Sequence, residues 1–269
     1  MYNDIIINTL EYTRPLLIGK LYYPDKNVSN EIGSLIVLNK HGDILTTASN
    51  ANVFLMSNDY NETYPKILKE IDESKNKKKT EKKYGIEKDS IVGMSNTLID
   101  ISKNPGKLTI KKHKYLNLAI IRLENNNDLL VNKFPKLSKN KLVVGSKLIT
   151  LGFAFPEYLS FKYDEENYKI KQTNEFMSFP IFPSDGIMCR NIIDSSNKLS
   201  MLEYTNIISD GMEGGPIINE KGYLSGMILG SRVVNDKTGQ IRLGVGINID
   251  EIKSFLDEND IEYEVEDEK

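Results

Sequence analysis

Residues 207–230 read IISDGMEGGPIINEKGYLSGMILG, and their pattern decides the fold. Ile217-Ile218-Asn219 is a short apolar run, Glu220-Lys221-Gly222 a turn, and Tyr223-Leu224-Ser225-Gly226-Met227-Ile228 a second run. Two apolar runs joined by a glycine-bearing turn predict a β-hairpin. Just upstream lies Gly211-Met212-Glu213-Gly214-Gly215-Pro216. Glycine permits positive φ and lets a backbone come close to another group. The loop is therefore either a plain glycine-rich turn or a backbone cradle for a bound group, and the rest of the chain decides between them.

With 269 residues and a hydrophobic content of 39%, the chain can bury one large β domain or two small ones. A net charge of -3 and a pI near 5.6 argue against general nucleic-acid binding, which favours a basic footprint. The single cysteine, Cys189, excludes a disulfide within the chain. The opening MYNDIIINTLEYTRP has no basic segment followed by a long apolar stretch, so no signal peptide is expected. No apolar run approaches the ~18 residues of a membrane span. A soluble, cytoplasmic protein is the expectation. Two histidines and scattered carboxylates show no metal-ligand spacing, so neither a metal nor a cofactor is expected.

Along the chain, residues 14–23 (RPLLIGKLYY) are a strand candidate, and residues 33–48 form a hairpin around Asn39-Lys40-His41-Gly42-Asp43. Residues 64–71 have helical spacing, with Pro65 near the start where proline is tolerated. The run ESKNKKKTEKK at 73–83 reads as a solvated helix end or mobile loop, or as a contact for an acidic partner. Short apolar runs recur over 86–110, and residues 134–140 read as a linker. Cys189 reads as a small core residue, since free cysteine is commonly buried. Asp250 is placed to cap a helix over 251–258 with Ile252, Phe255 and Leu256 on one face. The acidic residues 262–269 read as a mobile tail.

The frame GMEGGP resembles the nucleophile loop G-[DN]-S-G-G-P of trypsin-like serine proteases, with Glu213 at the serine. GSLIVLNKHGDILTTASN resembles the HtrA-type hairpin G-S-G-F-V-[IV]-x-x-x-G-x-I-L-T-x-A-H, and its histidine falls on Ser49. YLNLAIIRL resembles [SD]-x-D-[LI]-A-[VL]-[LI]-[KR]-[LIV], and its aspartate falls on Asn117. KLVVGSKLITLGFAFP at 141–156, Gly186-Ile187-Met188-Cys189-Arg190 and LGVGINID at 243–250 resemble strands of the family's second barrel, with Ala154 in place of the usual proline. These stretches follow the family's order. The resemblance implies an all-β fold of two antiparallel β-barrels with a C-terminal helix. The first barrel would take residues 1–133 with an insertion at 57–112, the second barrel with its helix 141–258, and the acidic tail 259–269. It also implies an oxyanion hole formed by the amides of Gly211 and Glu213.

The family's chemistry needs a nucleophile, a base to take its proton and an acid to orient the base. Ser49, Asn117 and Glu213 supply none of these in order, and loss of one member already forfeits most of the rate. Of the two histidines, His41 lies eight residues from Ser49, up to about 26 Å along extended chain. His113 sits on the loop before Asn117 as a surface residue or a substitute base. No catalytic residue is therefore expected. The leading reading is a pseudoprotease that binds a protein or peptide. The alternatives are a hydrolase with a rearranged site, using Ser49 or Ser209, and a regulatory subunit working through another surface. Ser49, Asn117 and Glu213 are expected to form a hydrogen-bonded cluster, with the Glu213 carboxylate folded back towards the amide of Gly211; the alternative is that Glu213 points into solvent.

Overall fold

The computed structural model describes residues 2–154, 161–173, 179–194, 199–236 and 239–267. Helix α1 (Tyr2–Leu10) leads into strands β1 (Thr13–Tyr22), β2 (Asn27–Val37) and β3 (Asp43–Thr46). Helices α2 (Ala48–Glu73) and α3 (Lys77–Tyr84) come next, then β4 (Ile91–Leu98), β5 (Leu108–Lys112) and β6 (Ala119–Leu123). The strands form one antiparallel sheet in the order β4-β1-β2-β3-β6-β5. The expected hairpin over 33–48 is the β2–β3 pair, with Ile36 opposite Leu45.

The second half supplies β7 (Lys136–Leu137), β8 (Lys147–Phe153), β9 (Phe161–Asp164), β10 (Lys169–Gln172), β11 (Ile181–Asp194), β12 (Leu199–Tyr204), β13 (Pro216–Asn219), β14 (Leu224–Asp236) and β15 (Gly239–Asn248). Helix α4 (Ile249–Asp257) and strand β16 (Glu264–Val265) end the chain. Strands β8, β11, β12, β15, β14 and β13 pair in turn, and β13 returns to β8, closing a barrel. The fold is thus two antiparallel β-barrels of the trypsin-like type followed by a C-terminal helix. The hairpin read at 216–228 is the β13–β14 pair, with Ile217 opposite Gly226.

Several local expectations are corrected. The helix read over 64–71 is the end of α2, which begins directly after β3 with Thr47 as its cap: the Thr47 side chain accepts from the amide of Asn50. The lysine-rich run is not a loose loop. Most of it is α3, closed at one end by Asn76, whose side chain accepts from the amide of Lys79, and at the other by Gly85 in the left-handed region. Thr80 is buried, and Lys83 and Tyr84 both bond Glu70 of α2. Cys189 is half-buried, not in the core, because it follows the buried Met188 on β11 and so faces the other side of the strand. Burial pushes its thiol pKa up and Glu203 adds to that, away from a reactive thiolate. Asn248, not Asp250, caps α4 and does so without a side-chain bond; Asp250 lies in the first turn, where its charge suits the helix dipole. The tail is tied down over its described part: β16 pairs with β7, and Glu266 meets Lys221. Phe155, Pro156, Glu268 and Lys269 lie outside the described residues.

One continuous apolar cluster crosses between the barrels. It joins Leu16, Leu35, Leu45 and Ile120 of the first sheet to Ile149, Leu151, Ile218 and Met227 of the second and to Phe255 of α4. A smaller cluster of Leu17, Ile32, Phe153 and Phe161 seals the same seam nearer the surface. Phe161 belongs to the two-stranded ribbon β9–β10, which leaves the second barrel and lies across the first. The amide of Phe161 donates to Asn30 Oδ1 at 2.9 Å, and Thr97 Oγ1 donates to Gln172 Oε1 at 3.0 Å. Lys26 Nζ stands over the rings of Tyr163 and Tyr168 at 5.8 and 6.0 Å. Gly19 makes room for the ribbon, since a Cβ there would come within 2.7 Å of the Phe161 ring. Phe161 is 1% exposed, so Phe161→Ala should cost about 3–5 kcal/mol. Denaturant unfolding measures this; a loss well under 1 kcal/mol would show that the ribbon does not hold the barrels together.

Candidate functional site

The glycine loop is wedged between the two barrels. Ser34 of β2 is fully buried and reaches it three ways. Its amide donates to the carbonyl of Glu213 at 3.0 Å. Its hydroxyl donates to the carbonyl of Gly211 at 2.8 Å and accepts from the amide of Phe153 at 3.0 Å. Asn50, in the first turn of α2, donates from Nδ2 to the same Glu213 carbonyl at 3.1 Å. The fit excludes side chains. At Gly214, with φ +86, a Cβ would lie 2.2 Å from the carbonyl oxygen of Ser34; at Gly215 it would lie 2.2 Å from that of Leu151. The positions of these glycines follow from that clearance.

Beside the loop is a cleft of about 560 Å³ lined by Ile18, Glu31, Ile32, Thr47, Ser49, Asn50, Asn117, Asp210, Gly211, Glu213 and Leu229. Ser49, Asn117 and Glu213 all face this one space. Ser49 occupies the first turn of α2, where helix amides lack an intrahelical acceptor. Asn117 Oδ1 fills that need, accepting from the Ser49 amide at 2.9 Å and from its hydroxyl at 3.1 Å. The cluster expected from the sequence is therefore only half formed. Among the described residues no hydrogen bond joins the Glu213 carboxylate to Ser49 or Asn117.

The carboxylate turns back on its own loop instead. Glu213 Oε2 accepts from the amide of Gly211 at 2.9 Å. That is one of the two amides that the resemblance assigns to an oxyanion hole, and its acceptor is supplied by the loop itself. Burial pushes the carboxyl pKa above its ordinary value, hydrogen bonding to the loop backbone opposes the rise, and the negative charge of Asp210 reinforces it.

Neither histidine lines the cleft. His41 Nε2 meets a carboxylate oxygen of Glu262 at 3.0 Å. His113 Nδ1 accepts from the amides of Tyr115 and Leu116 at 3.1 and 2.9 Å, which leaves the ring proton of a neutral imidazole on Nε2. The ring packs edge-on against Phe255 and borders a different cavity, next to α4. His113 thus shapes the loop that presents Asn117. Ser209 is absent from the cleft lining; its amide lies 3.4 Å from Met212 Sδ within the turn. Sequence reasoning missed Asp210, Glu31, Ser34 and Asn50. Only Asp210 carried a local signal, as a second carboxylate beside the glycine loop. Glu31 is neutralised by Lys20 at 2.5 Å.

No family model and no curated protein matches the chain. Two forms of one protease are among the solved structures that share its fold. The active form of the Rv3671c protease from M. tuberculosis superposes with a TM-score of 0.54 at 12% identity, covering 98% of this chain and 88% of that one. The inactive form of Rv3671c from M. tuberculosis H37Rv, a serine-to-alanine mutant, gives 0.51 at 12% identity, covering 95% and 90%. At this identity the likeness establishes a trypsin-like protease fold and carries no activity.

The raised carboxyl pKa fixes the sign of a pH experiment. A group whose folded pKa lies above its unfolded value of 4.5 contributes its stability below that value and loses it as pH rises through the folded pKa. Glu213→Gln keeps an acceptor for the Gly211 amide without the charge. The variant and the wild type should melt together below about pH 4.5, and the variant should melt higher at pH 7. Thermal unfolding across this range checks it; a variant that melts lower at pH 7 would mean that the charged amide bonds outweigh burial.

Proposed function

We propose that this chain is a pseudoprotease, a trypsin-like fold whose cleft binds a protein or peptide segment without cleaving it. The observation that carries this reading is the Glu213 carboxylate seated on the amide of Gly211, one of the two amides that the resemblance assigns to an oxyanion hole. Acyl transfer needs those amides free to stabilise the charge that develops on the substrate oxygen. A carboxylate already there repels such an oxygen. The polar partner of Ser49 is an amide, Asn117, which cannot take up a proton as a base does.

Binding without turnover has structural support. Among the described residues β14 pairs beyond Ile228 with β15 alone, so its other edge is open where Leu229 lines the cleft. An extended peptide adds to such an edge through main-chain hydrogen bonds. No described helix is long and apolar enough to cross a membrane.

The test is enzymatic. The purified protein should neither hydrolyse casein or a peptide library nor label with a fluorophosphonate. Ser49→His, Asn117→Asp and Glu213→Ser together should restore labelling if the cleft retains the catalytic frame. Turnover by the wild type that survives Glu213→Ala would instead favour a hydrolase with a rearranged site.

A further inference from the structure

The lining of the cleft has one sign of charge. Among the described residues three carboxylates face it, from Glu31, Asp210 and Glu213, and no lysine, arginine or histidine does. Lys20 neutralises Glu31. Among the described residues no cation pairs with the other two. Asp210 is exposed and Glu213 half-buried, and the charge of Asp210 opposes the ionisation of Glu213. Around them the walls are apolar or neutral: Ile18, Ile32 and Leu229 on the apolar side, Ser49 and Asn117 on the polar side.

A charge withdrawn from water without a counterion is held at a cost, and a ligand that brings the opposite charge recovers it. We propose that the cleft selects a peptide strand carrying a positively charged side chain, with the cation placed against Asp210 and Glu213. This rests on the peptide-binding reading above and adds the chemistry of the ligand. The strand supplies main-chain bonds to the open edge of β14 beyond Ile228, and its apolar neighbours meet Leu229 and Ile32. The cation replaces water at the two carboxylate oxygens that face the cleft. A peptide with a carboxylate at the same point is rejected, because like charge across a partly desolvated contact is repulsive. Glu213 then has two roles: its carboxylate holds the Gly211 amide that a protease would leave free, and it presents its own charge to the ligand.

Selection from a bead-bound library of random hexapeptides, acetylated at the N-terminus, tests the proposal on the whole chain. Acetylation removes the terminal amine, so that any cation selected is a side chain. The wild type should enrich sequences with lysine or arginine at one position. In a selected peptide, norleucine at that position should weaken binding about tenfold or more, as expected for a charge-assisted contact. Asp210→Asn combined with Glu213→Gln should erase that difference while the melting temperature shows the variant folded. Leu229→Arg, which places a fixed cation in the cleft, should abolish capture altogether. Enriched peptides without a basic residue, or equal affinity for the lysine and norleucine forms, would overturn the cationic ligand and leave the peptide-binding reading standing. Failure to capture any peptide, or capture that persists in Leu229→Arg, would overturn both.

Discussion

The buried hydroxyl of Ser34 ties the two barrels to the glycine loop at their seam. It bonds the carbonyl of Gly211 and the amide of Phe153, while the Ser34 backbone bonds the carbonyl of Glu213. The loop has to lie against β2 and β8 at once, and the clearances at Gly214 and Gly215 leave no space for a Cβ. Each of these bonds is a modest term, about 0.5–1.5 kcal/mol. Their geometric effect is larger. They fix the peptide planes that carry the Gly211 and Glu213 carbonyls, and so hold the loop from which the Glu213 side chain leaves.

Given that placement, the behaviour of Glu213 follows from simple electrostatics. A backbone N–H that lacks a carbonyl acceptor attracts negative charge. The side chain that leaves the same loop is long enough to curl back into it and carries that charge. Burial and the proximity of Asp210 work against the ionised carboxylate, and the amide bonds work for it. The arrangement thus combines local hydrogen bonding with an unbalanced charge facing the cleft, and both the proposed loss of chemistry and the proposed preference for a cation arise from this one side chain.

The helical layer and the β9–β10 ribbon stiffen this frame from outside. Leu68 and Ile71 of α2 pack with Leu21 and Val92 of the first sheet, and Ile170 of the ribbon joins them. Because α2 starts at Ala48, its first turn is also where Ser49 and Asn50 meet the cleft. Asn50 then supports the Glu213 carbonyl from the opposite side of the seam. Packing of the outer layer and orientation of the loop are therefore parts of one structure.

Much of the fold was legible in the sequence because its signals are local. Alternating β-rich runs around Gly42 and Gly222 marked two hairpins, the frame around Gly214-Gly215 marked a close backbone approach, and Ile252, Phe255 and Leu256 marked the amphipathic face of α4. The resemblance to the protease family pointed to Ser49, Asn117 and Glu213, and the fold puts all three beside one cleft. What the chain alone did not disclose depends on contacts between distant residues. Ser34 and Gly211 are 177 positions apart, and Asn50 and Glu213 are 163. Propensity could not set the start of α2 at Ala48, because the Thr47 cap and the packing of Phe54, Leu68 and Ile71 hold a helix through a stretch with weak helical spacing. Nor could it seat His113 on the amides of its own loop. The sequence by itself marked the hairpins, the glycine loop and the apolar face of α4. Only the tertiary structure decided that the Glu213 carboxylate turns to the Gly211 amide of its own loop instead of Ser49 and Asn117, because that choice depends on where backbone dipoles point once two barrels have packed together.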